Sequence, residues 1–333
     1  MGEADFDKLF QGFDNLNVMV IGDVMIDSYM WGHVDRISPE APVPIVAIDK
    51  KENRLGGAGN VALNVQALGA NPIIYAVIGK DNYGKIFQDL LNKQRLSNKG
   101  IIYSDSRATT VKTRILSGSN QILRVDEEII TPINNKEETS LLKCINEEIE
   151  NGKIDVIIFE DYDKGLITKS LIEEVIQIAN KKGIPTTVDP KKKNFLAYQG
   201  ASLFKPNLRE IQEGMKVSIA PDKTDELDEL VSKLKADLNI KMVLLTLSEL
   251  GVFISHGNGK EIIPAHIRDI ADVSGAGDTV ISVAALCLAM EMEPKIIAGL
   301  SNLAGGIVCE KVGVVPIAKN QLLNEAKALL TKG

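Results

Sequence analysis

The chain has 333 residues, 44% of them hydrophobic, and its 38 Lys and Arg against 45 Asp and Glu leave a net charge of −7. That balance supports a full core and argues against binding nucleic acid through bulk positive charge, so any phosphorylated ligand must be met by local cations. Cys144, Cys287 and Cys309 are widely spaced and odd in number, and the three histidines form no ligand set, which excludes a disulfide frame or a zinc site. No apolar run approaches the roughly 18 residues of a membrane span. The acidic start from Met1 to Gln11 is unlike a signal peptide, so the expected location is the cytoplasm, with no membrane partner.

Apolar runs alternate with helical patterns along the whole chain. Residues 17–22 read as a buried strand, 59–68 as a helix ended by Gly69, and 72–77 as the next strand. A helix over 83–92, a strand over 155–159 and a helix over 168–182 follow. Strands at 185–188, 202–204 and 242–246 are interleaved with helices at 208–214 and 225–238, and helices at 277–290 and 295–312 close the pattern. This rhythm predicts an α/β fold: one doubly wound, mostly parallel sheet with helices on both faces. Two segments, 28–50 and 109–126, are rich in β-branched residues with no helix between strands. The stretch from Arg36 to Pro44 holds three prolines and cannot be a central strand. Both pieces are expected to form a small β-lid over the mouth of the main sheet, within a single domain spanning 1–333.

Gly275-Ala276-Gly277-Asp278 stands just before a long apolar helix. Bare N–H groups and the positive end of a helix dipole make such a mouth an anion pocket. An Asp there competes with an anion unless it serves as a base, taking a proton from a hydroxyl while the N–H groups hold the phosphoryl group. A second cluster, Gly56-Gly57-Ala58-Gly59-Asn60, fits G-x-G-x-x-G/A with Asp81 some way beyond, but follows the polar stretch from Lys50 to Arg54. The dinucleotide pattern must follow a strand, so that reading is rejected. What remains is a close backbone approach, with the Asn60 amide available to hydroxyls. Asp23 and Asp27 lie at and beyond the end of the first strand, where open α/β sheets bind ligands; they are candidate acceptors for sugar hydroxyls. Lys112 and Arg114 are two apart, so on a strand they face one way and can clamp a phosphate, with Arg124 nearby. Lys191-Lys192-Lys193 reads as a solvated run.

Together, Gly56 to Asn60 and Asp272-Val273-Ser274-Gly275-Ala276-Gly277-Asp278 resemble the two signatures of the ribokinase-like (PfkB) carbohydrate kinases, in the family's order and covering essentially the whole chain. The resemblance implies ATP and Mg²⁺ as cofactors, Asp278 as catalytic base and the amides of Gly275, Ala276 and Gly277 as anion hole. Asn207-Leu208-Arg209-Glu210 is similar to the family's N-x-x-E element, which places Glu210 near Mg²⁺ indirectly; the nucleotide would lie near Thr246, Ser248, Gly251 and Asn302. Gly22 to Asp27, Arg36 to Pro44, Asp161-Tyr162-x-Lys164-Gly165 and Thr246 to Gly251 resemble the D-glycero-β-D-manno-heptose 7-phosphate kinases, which share Ser248 where many relatives carry Gly. That closer resemblance implies phosphorylation of the anomeric hydroxyl to a 1,7-bisphosphate on the way to ADP-heptose for lipopolysaccharide. Asp23, Asp27, Gly56, Gly57, Asn60, Lys112, Arg114, Asp161 and Lys164 would then form the sugar-phosphate site. The H-x-G-H motif of an attached nucleotidyltransferase domain is not in the chain, so the kinase step alone is implied. A homodimer paired through the lid is expected by analogy. A same-fold kinase for another sugar or nucleoside, and a non-catalytic binding protein, stay open at this point.

Overall fold

The computed structural model describes residues 1–118, 120–257 and 259–331. An amphipathic helix α1 (Glu3–Phe13) buries Phe6, Leu9, Phe10 and Phe13, which recur at helical spacing on one face. The chain then enters β1 (Asn17–Gly22), whose apolar run is buried on both faces. One residue later it begins the long lid strand β2 (Val24–Ile37), turns through the proline-rich stretch and returns along β3 (Pro44–Gly57). Helix α2 (Ala58–Ala67) starts directly from the end of β3.

β4 (Asn71–Gly79), α3 (Asn82–Lys93) and the short β5 (Ile101–Ser104) come next. A second lid excursion forms the hairpin β6 (Val111–Ser117) and β7 (Asn120–Glu127). The α/β rhythm resumes with α4 (Asn135–Glu150), β8 (Val156–Glu160), α5 (Lys169–Lys182), β9 (Thr186–Asp189) and the two-residue β10 (Leu203–Phe204). After α6 (Leu208–Met215) and α7 (Thr224–Leu238) the chain forms β11 (Met242–Thr246), then the hairpin β12 (Val252–His256) and β13 (Gly259–Ile263). Helices α8 (Ala276–Ala289), α9 (Pro294–Cys309) and α10 (Lys319–Leu330) complete it.

The main sheet has the order β13-β12-β11-β10-β9-β8-β1-β4-β5. It is parallel from β11 through β5, and the β12–β13 hairpin adds an antiparallel edge. The predicted alternation therefore places the central strands correctly, because a strand buried on both faces is written as an unbroken apolar run. The lid is a separate four-stranded sheet of order β3-β2-β6-β7. It is larger than 28–50 and 109–126: β2 starts at Val24, and β3 runs through Lys50 to Arg54 as far as Gly57. That polar stretch is a strand after all, with Lys50 and Lys51 exposed and Glu52 to Arg54 half-buried, so it carries no apolar face to mark it. The last predicted helix ends at Cys309, three residues before Val312.

α8 packs on β8 and β9 and lies between α2 and α9. Its N-terminus therefore meets the carboxyl ends of the central strands, with the lid rising from β1 on one side and the β10–β11 end of the sheet on the other.

Candidate active site

Gly275 caps α8 with φ of +80°, a conformation that only Gly adopts cheaply, and a Cβ there would come within 2.9 Å of the Asn60 amide nitrogen. The turn so made buries the Asp278 carboxylate and grips it from two sides. Asn60 Nδ2 donates to Oδ2 at 2.7 Å, and the Tyr162 hydroxyl donates to Oδ1 at 2.8 Å. Burial raises the Asp278 pKa to about 6; the two donors pull it down, Asp189 pushes it up and Lys205 pulls it down. The result is a carboxylate that ionises near neutral pH with its orientation fixed. Asn60, expected to serve sugar hydroxyls, donates to this carboxylate, and Tyr162 is a contact that no local sequence pattern marks.

Asp27 and Gly56 face each other across β2 and β3, and a Cβ on Gly56 would collide with the Asp27 carboxylate. The close backbone approach expected of the glycine cluster is thus an approach to Asp27, while the Gly57 neighbour Ala58 donates its N–H to the Asp23 carbonyl at 3.0 Å. Arg114 Nη1 meets Asp27 Oδ1 at 2.5 Å, and its guanidinium lies 5.3 Å from the Tyr29 ring. Lys112 points the same way and sits 5.5 Å over the Tyr162 ring. It has no ion-pair partner among the described residues. Burial, then the neighbouring Lys164 ammonium, holds its pKa below the usual lysine value. A half-buried, unpaired ammonium is a site waiting for an anion. Arg124 on the exposed β7 pairs with Asp126 at 2.9 Å instead.

Three expected sugar contacts are occupied otherwise. Asp23 accepts the backbone N–H groups of Tyr162 and Lys164 at 3.0 Å and of Leu166 at 3.1 Å. Burial still pushes its pKa up against those donors. Its carboxylate organises the loop that carries Tyr162. Asp161 is fully buried and accepts from Asn194 at 3.1 Å, Tyr198 at 2.8 Å and the Asp163 N–H at 2.9 Å. It builds the same loop, and burial followed by the Asp23 charge raises its pKa to about 6. Lys164 is paired to Glu128 at 2.9 Å.

On the other side of Asp278, Asn207 and Glu210 form a reciprocal cap on α6: each side chain accepts the other's backbone N–H at 2.8 Å. Asn207 also bridges to Thr246 at the end of β11. Ser248 has φ of +55° and Gly251 φ of +90°, so the chain turns tightly just after β11. Position 248 is left-handed, which is the physical reason a Gly suits it and a Ser strains it mildly. Asn302 on α9 donates to the Pro264 carbonyl at 2.9 Å, anchoring the segment that leaves β13 and leads to Gly275. Lys191 is no solvated lysine: it pairs with Glu210 and lies 5.4 Å from the Tyr162 ring. Lys192 follows the expectation, its side chain 71% exposed.

Both Glu210 oxygens accept protons from protein donors, the Asn207 N–H and Lys191. The pattern fits an outer role toward Mg²⁺ through water and not direct ligation. A different set has the donor chemistry of a divalent metal: Glu160, at the end of β8, Asp189, at the end of β9, and Asp278 present carboxylate oxygens all within 4.8 Å of one another. Lys205, itself buried, meets Asp189 at 2.8 Å. Burial, with Asp189 and Asp278 beside it, pushes the Glu160 pKa well up. Sequence reasoning missed Glu160 and Asp189, although the rule applied to Asp23, acids at carboxyl ends of parallel strands, covers both.

The model of the pfkB family of carbohydrate kinases matches residues 15–320. Bifunctional protein HldE of Caulobacter sp. (strain K31) is 38% identical over 322 residues, which are 96% of this chain and 64% of that protein. Bifunctional protein HldE of Syntrophotalea carbinolica is 36% identical over 98% of this chain and 66% of its own length. The chain thus spans a little under two thirds of the length of these relatives. Phosphofructokinase-2 from Escherichia coli, solved in complex with potassium, superposes with a TM-score of 0.77 at 16% identity, over 95% of this chain and 99% of its own. At that identity the match speaks for the ribokinase-like fold alone. With the family model spanning both glycine clusters and Asp278, the chain belongs to the pfkB family of carbohydrate kinases, phosphotransferases that act on a sugar hydroxyl.

Proposed function

We propose that the chain is an ATP-dependent kinase that phosphorylates the anomeric hydroxyl of D-glycero-β-D-manno-heptose 7-phosphate, giving the 1,7-bisphosphate used in ADP-heptose synthesis. The observation that carries this reading is the buried Asp278 carboxylate at the mouth of α8, held by Asn60 and Tyr162, with the unpaired Lys112 ammonium above Tyr162 on the lid. The similarity to proteins named HldE and the sequence resemblance to heptose 7-phosphate kinases choose the sugar.

In this reading the sugar lies between the lid and the mouth of α8, its phosphate on Lys112 and Arg114, its hydroxyls near Asp27. Asp278 removes the proton of the anomeric hydroxyl; that oxygen bonds to the γ-phosphorus of ATP, and the bond from phosphorus to the β–γ bridging oxygen breaks, releasing ADP. The N–H groups of Gly275, Ala276 and Gly277 receive charge on the transferring phosphoryl group. Asn207, Thr246, Ser248 and Gly251 line the nucleotide side, and Asn302 fixes the neighbouring segment. A Mg²⁺ ion near Glu210, when bound, neutralises phosphate oxygens. The lid excludes water from the transfer.

The kinase is taken as one unit with its lid, working in the cytoplasm as a homodimer. The exposed apolar lid residues Ile37, Val43, Ile122 and Leu123 support pairing through that sheet. Among the described residues no helix is long and apolar enough to cross a membrane. ADP release is measured with Mg·ATP against heptose 7-phosphate, mannose 6-phosphate, fructose 6-phosphate, ribose and adenosine. Turnover on heptose 7-phosphate alone is expected; preference for another member of the panel overturns the sugar, and silence throughout overturns the kinase.

A further inference from the structure

Lys164 is held at every polar group it has. Its N–H donates to Asp23 Oδ2 at 3.0 Å, its ammonium pairs with Glu128 at 2.9 Å, and its carbonyl accepts from Arg107 Nη2 at 2.5 Å. Arg107 Nη2 also donates to the Ile129 carbonyl at 3.0 Å, and Nη1 to the Thr131 carbonyl at 3.2 Å. One guanidinium thus serves three carbonyls from two segments. Ile129 and Thr131 lie where the chain returns from β7 to α4, and Lys164 lies in the loop after β8. Arg107 itself stands on the outbound crossing from β5 to β6, and that crossing is fixed. Its N–H donates to Ser104 Oγ at 3.1 Å, and the Thr109 N–H to Asp81 Oδ2 at 2.8 Å. Gly165, with φ of +91°, backs onto the return segment: a Cβ there would come within 2.0 Å of the Thr131 carbonyl oxygen. The Gly165 carbonyl accepts the Ile133 N–H at 2.9 Å. Half-burying a cation among carbonyls costs desolvation that the hydrogen bonds must offset.

We propose that Arg107 is a positioning residue for Asp278: it ties the loop of Tyr162 and Lys164 to both feet of the second lid excursion, and so holds the Tyr162 hydroxyl on the Asp278 carboxylate. Lys164 is two residues from Tyr162, whose hydroxyl donates to Asp278 Oδ1 at 2.8 Å. Asp23 grips the N–H side of that loop and Arg107 its C=O side. The loop therefore cannot shift without breaking a charge-assisted hydrogen bond. An arginine suits this task where a lysine does not. Its planar fork holds five donors at fixed angles, enough for three acceptors from separate segments, whereas an ammonium is a point donor on a flexible stem. The role rests on the kinase reading, in which Asp278 is the base. It gives the two grips on that carboxylate separate origins: Asn60 is set by the first lid excursion through α2, and Tyr162 by the second through Arg107.

The test has two arms. In the first, hydrogen exchange at the Tyr162, Lys164 and Leu166 amides is followed in the full chain without nucleotide or sugar. Arg107→Ala should speed it about tenfold or more while protection in β1 and β8 is unchanged; unchanged exchange in the loop overturns the hold. In the second, kcat and KM are measured with Mg·ATP and whichever sugar of the panel is turned over, for Arg107→Ala, Tyr162→Phe and the double variant. Arg107→Ala should lower kcat roughly 10–100-fold, as a misplaced catalytic group does, with far less change in KM for the sugar. Tyr162→Phe should then add little in the Arg107→Ala background, because both act through one contact. An unchanged kcat, or single effects that simply multiply, overturns the role. Circular dichroism guards against lost folding; if Arg107→Ala does not fold, Arg107→Lys, which keeps the charge and stem without the fork, carries both arms. Faster exchange in a chain silent on every sugar upholds the hold on the loop and sinks the kinase reading, whereas turnover with unchanged exchange sinks the role of Arg107 alone.

Discussion

In the main sheet, β1 and β8 bury both faces, and Val18 to Ile21 and Val156 to Phe159 are wholly inaccessible to solvent. In the lid, β7 is exposed at every residue, and β3 is mostly exposed until it reaches Leu55. The first sheet is held by apolar packing and sets where Glu160, Asp189 and Asp278 sit. The second has little core of its own and is held by strand pairing and by contacts among charged and aromatic side chains, such as Arg114 with Asp27 and Tyr29. In the proposed reading, a rigid floor carries the chemistry and a thin, polar sheet the recognition of the sugar phosphate.

Substitutions can break or sharpen that division. The largest effect is expected on the floor: Asp278→Asn should lower kcat by roughly 10²–10⁴-fold, read by ADP release, with the fold intact by circular dichroism. Phe204→Ala, which removes a ring 5.1 Å from Phe195 in the packing under β10, should cost about 3–5 kcal/mol in urea unfolding. On the lid, Lys112→Met should raise the KM for the sugar phosphate about 10–100-fold, the worth of one charge-assisted contact, while the urea midpoint stays put. Turnover per folded molecule should also follow pH on the floor. Asp278 must be ionised to act and its pKa is raised to about 6, so kcat/KM should fall about tenfold per unit below that value. Stability carries the opposite sign: a raised carboxylate favours the protonated form in the fold, so the benefit is complete below pH 3.8 and is lost as pH rises through about 6. Asp161→Asn should flatten the rise of stability on acidification within that window. The smallest effect is expected at the lid surface, where Leu123→Ser, 53% exposed, should change unfolding by less than about 0.5 kcal/mol. If lid sheets pair, the same variant should shift the dimer toward monomer in sedimentation velocity.

The division also explains what could be read in the sequence. The central strands were legible because burial on both faces leaves an unbroken apolar run, and the start of α8 ahead of Asp278 because Gly-Ala-Gly before an apolar run marks a helix mouth. β3 was cut short because Lys50 to Arg54 carry no apolar face to mark a strand. α1 shows Phe6, Leu9, Phe10 and Phe13 at helical spacing, a pattern that the absence of a leader's features does not reveal. The roles of Asn60, Tyr162 and Lys191 depend on contacts between segments far apart in the chain, such as Asn60 with Asp278. No local pattern encodes these. Asp23 and Asp161 looked like ligands because the position of an acid after a strand does not reveal whether loop N–H groups have already claimed it.

The first lid excursion, β2 and β3, joins the main body without slack. Only Asp23 separates β1 from β2, and β3 passes straight into α2 at Gly57. The two crossings are laced together, for Ala58 donates to the Asp23 carbonyl at 3.0 Å and Asp23 donates to the Glu160 carbonyl at 3.1 Å. At these two crossings no loop is left to serve as a loose hinge, and strain on β2 and β3 would reach the backbone at Asp23 and Gly57. Asn60 lies one turn beyond the second pivot, and the Asp23 carboxylate grips the loop of Tyr162. Those are the two side chains that aim Asp278. In the proposed reading, a lid closing over the sugar would pull on the same two side chains that aim Asp278, with the lid as the long arm of the lever.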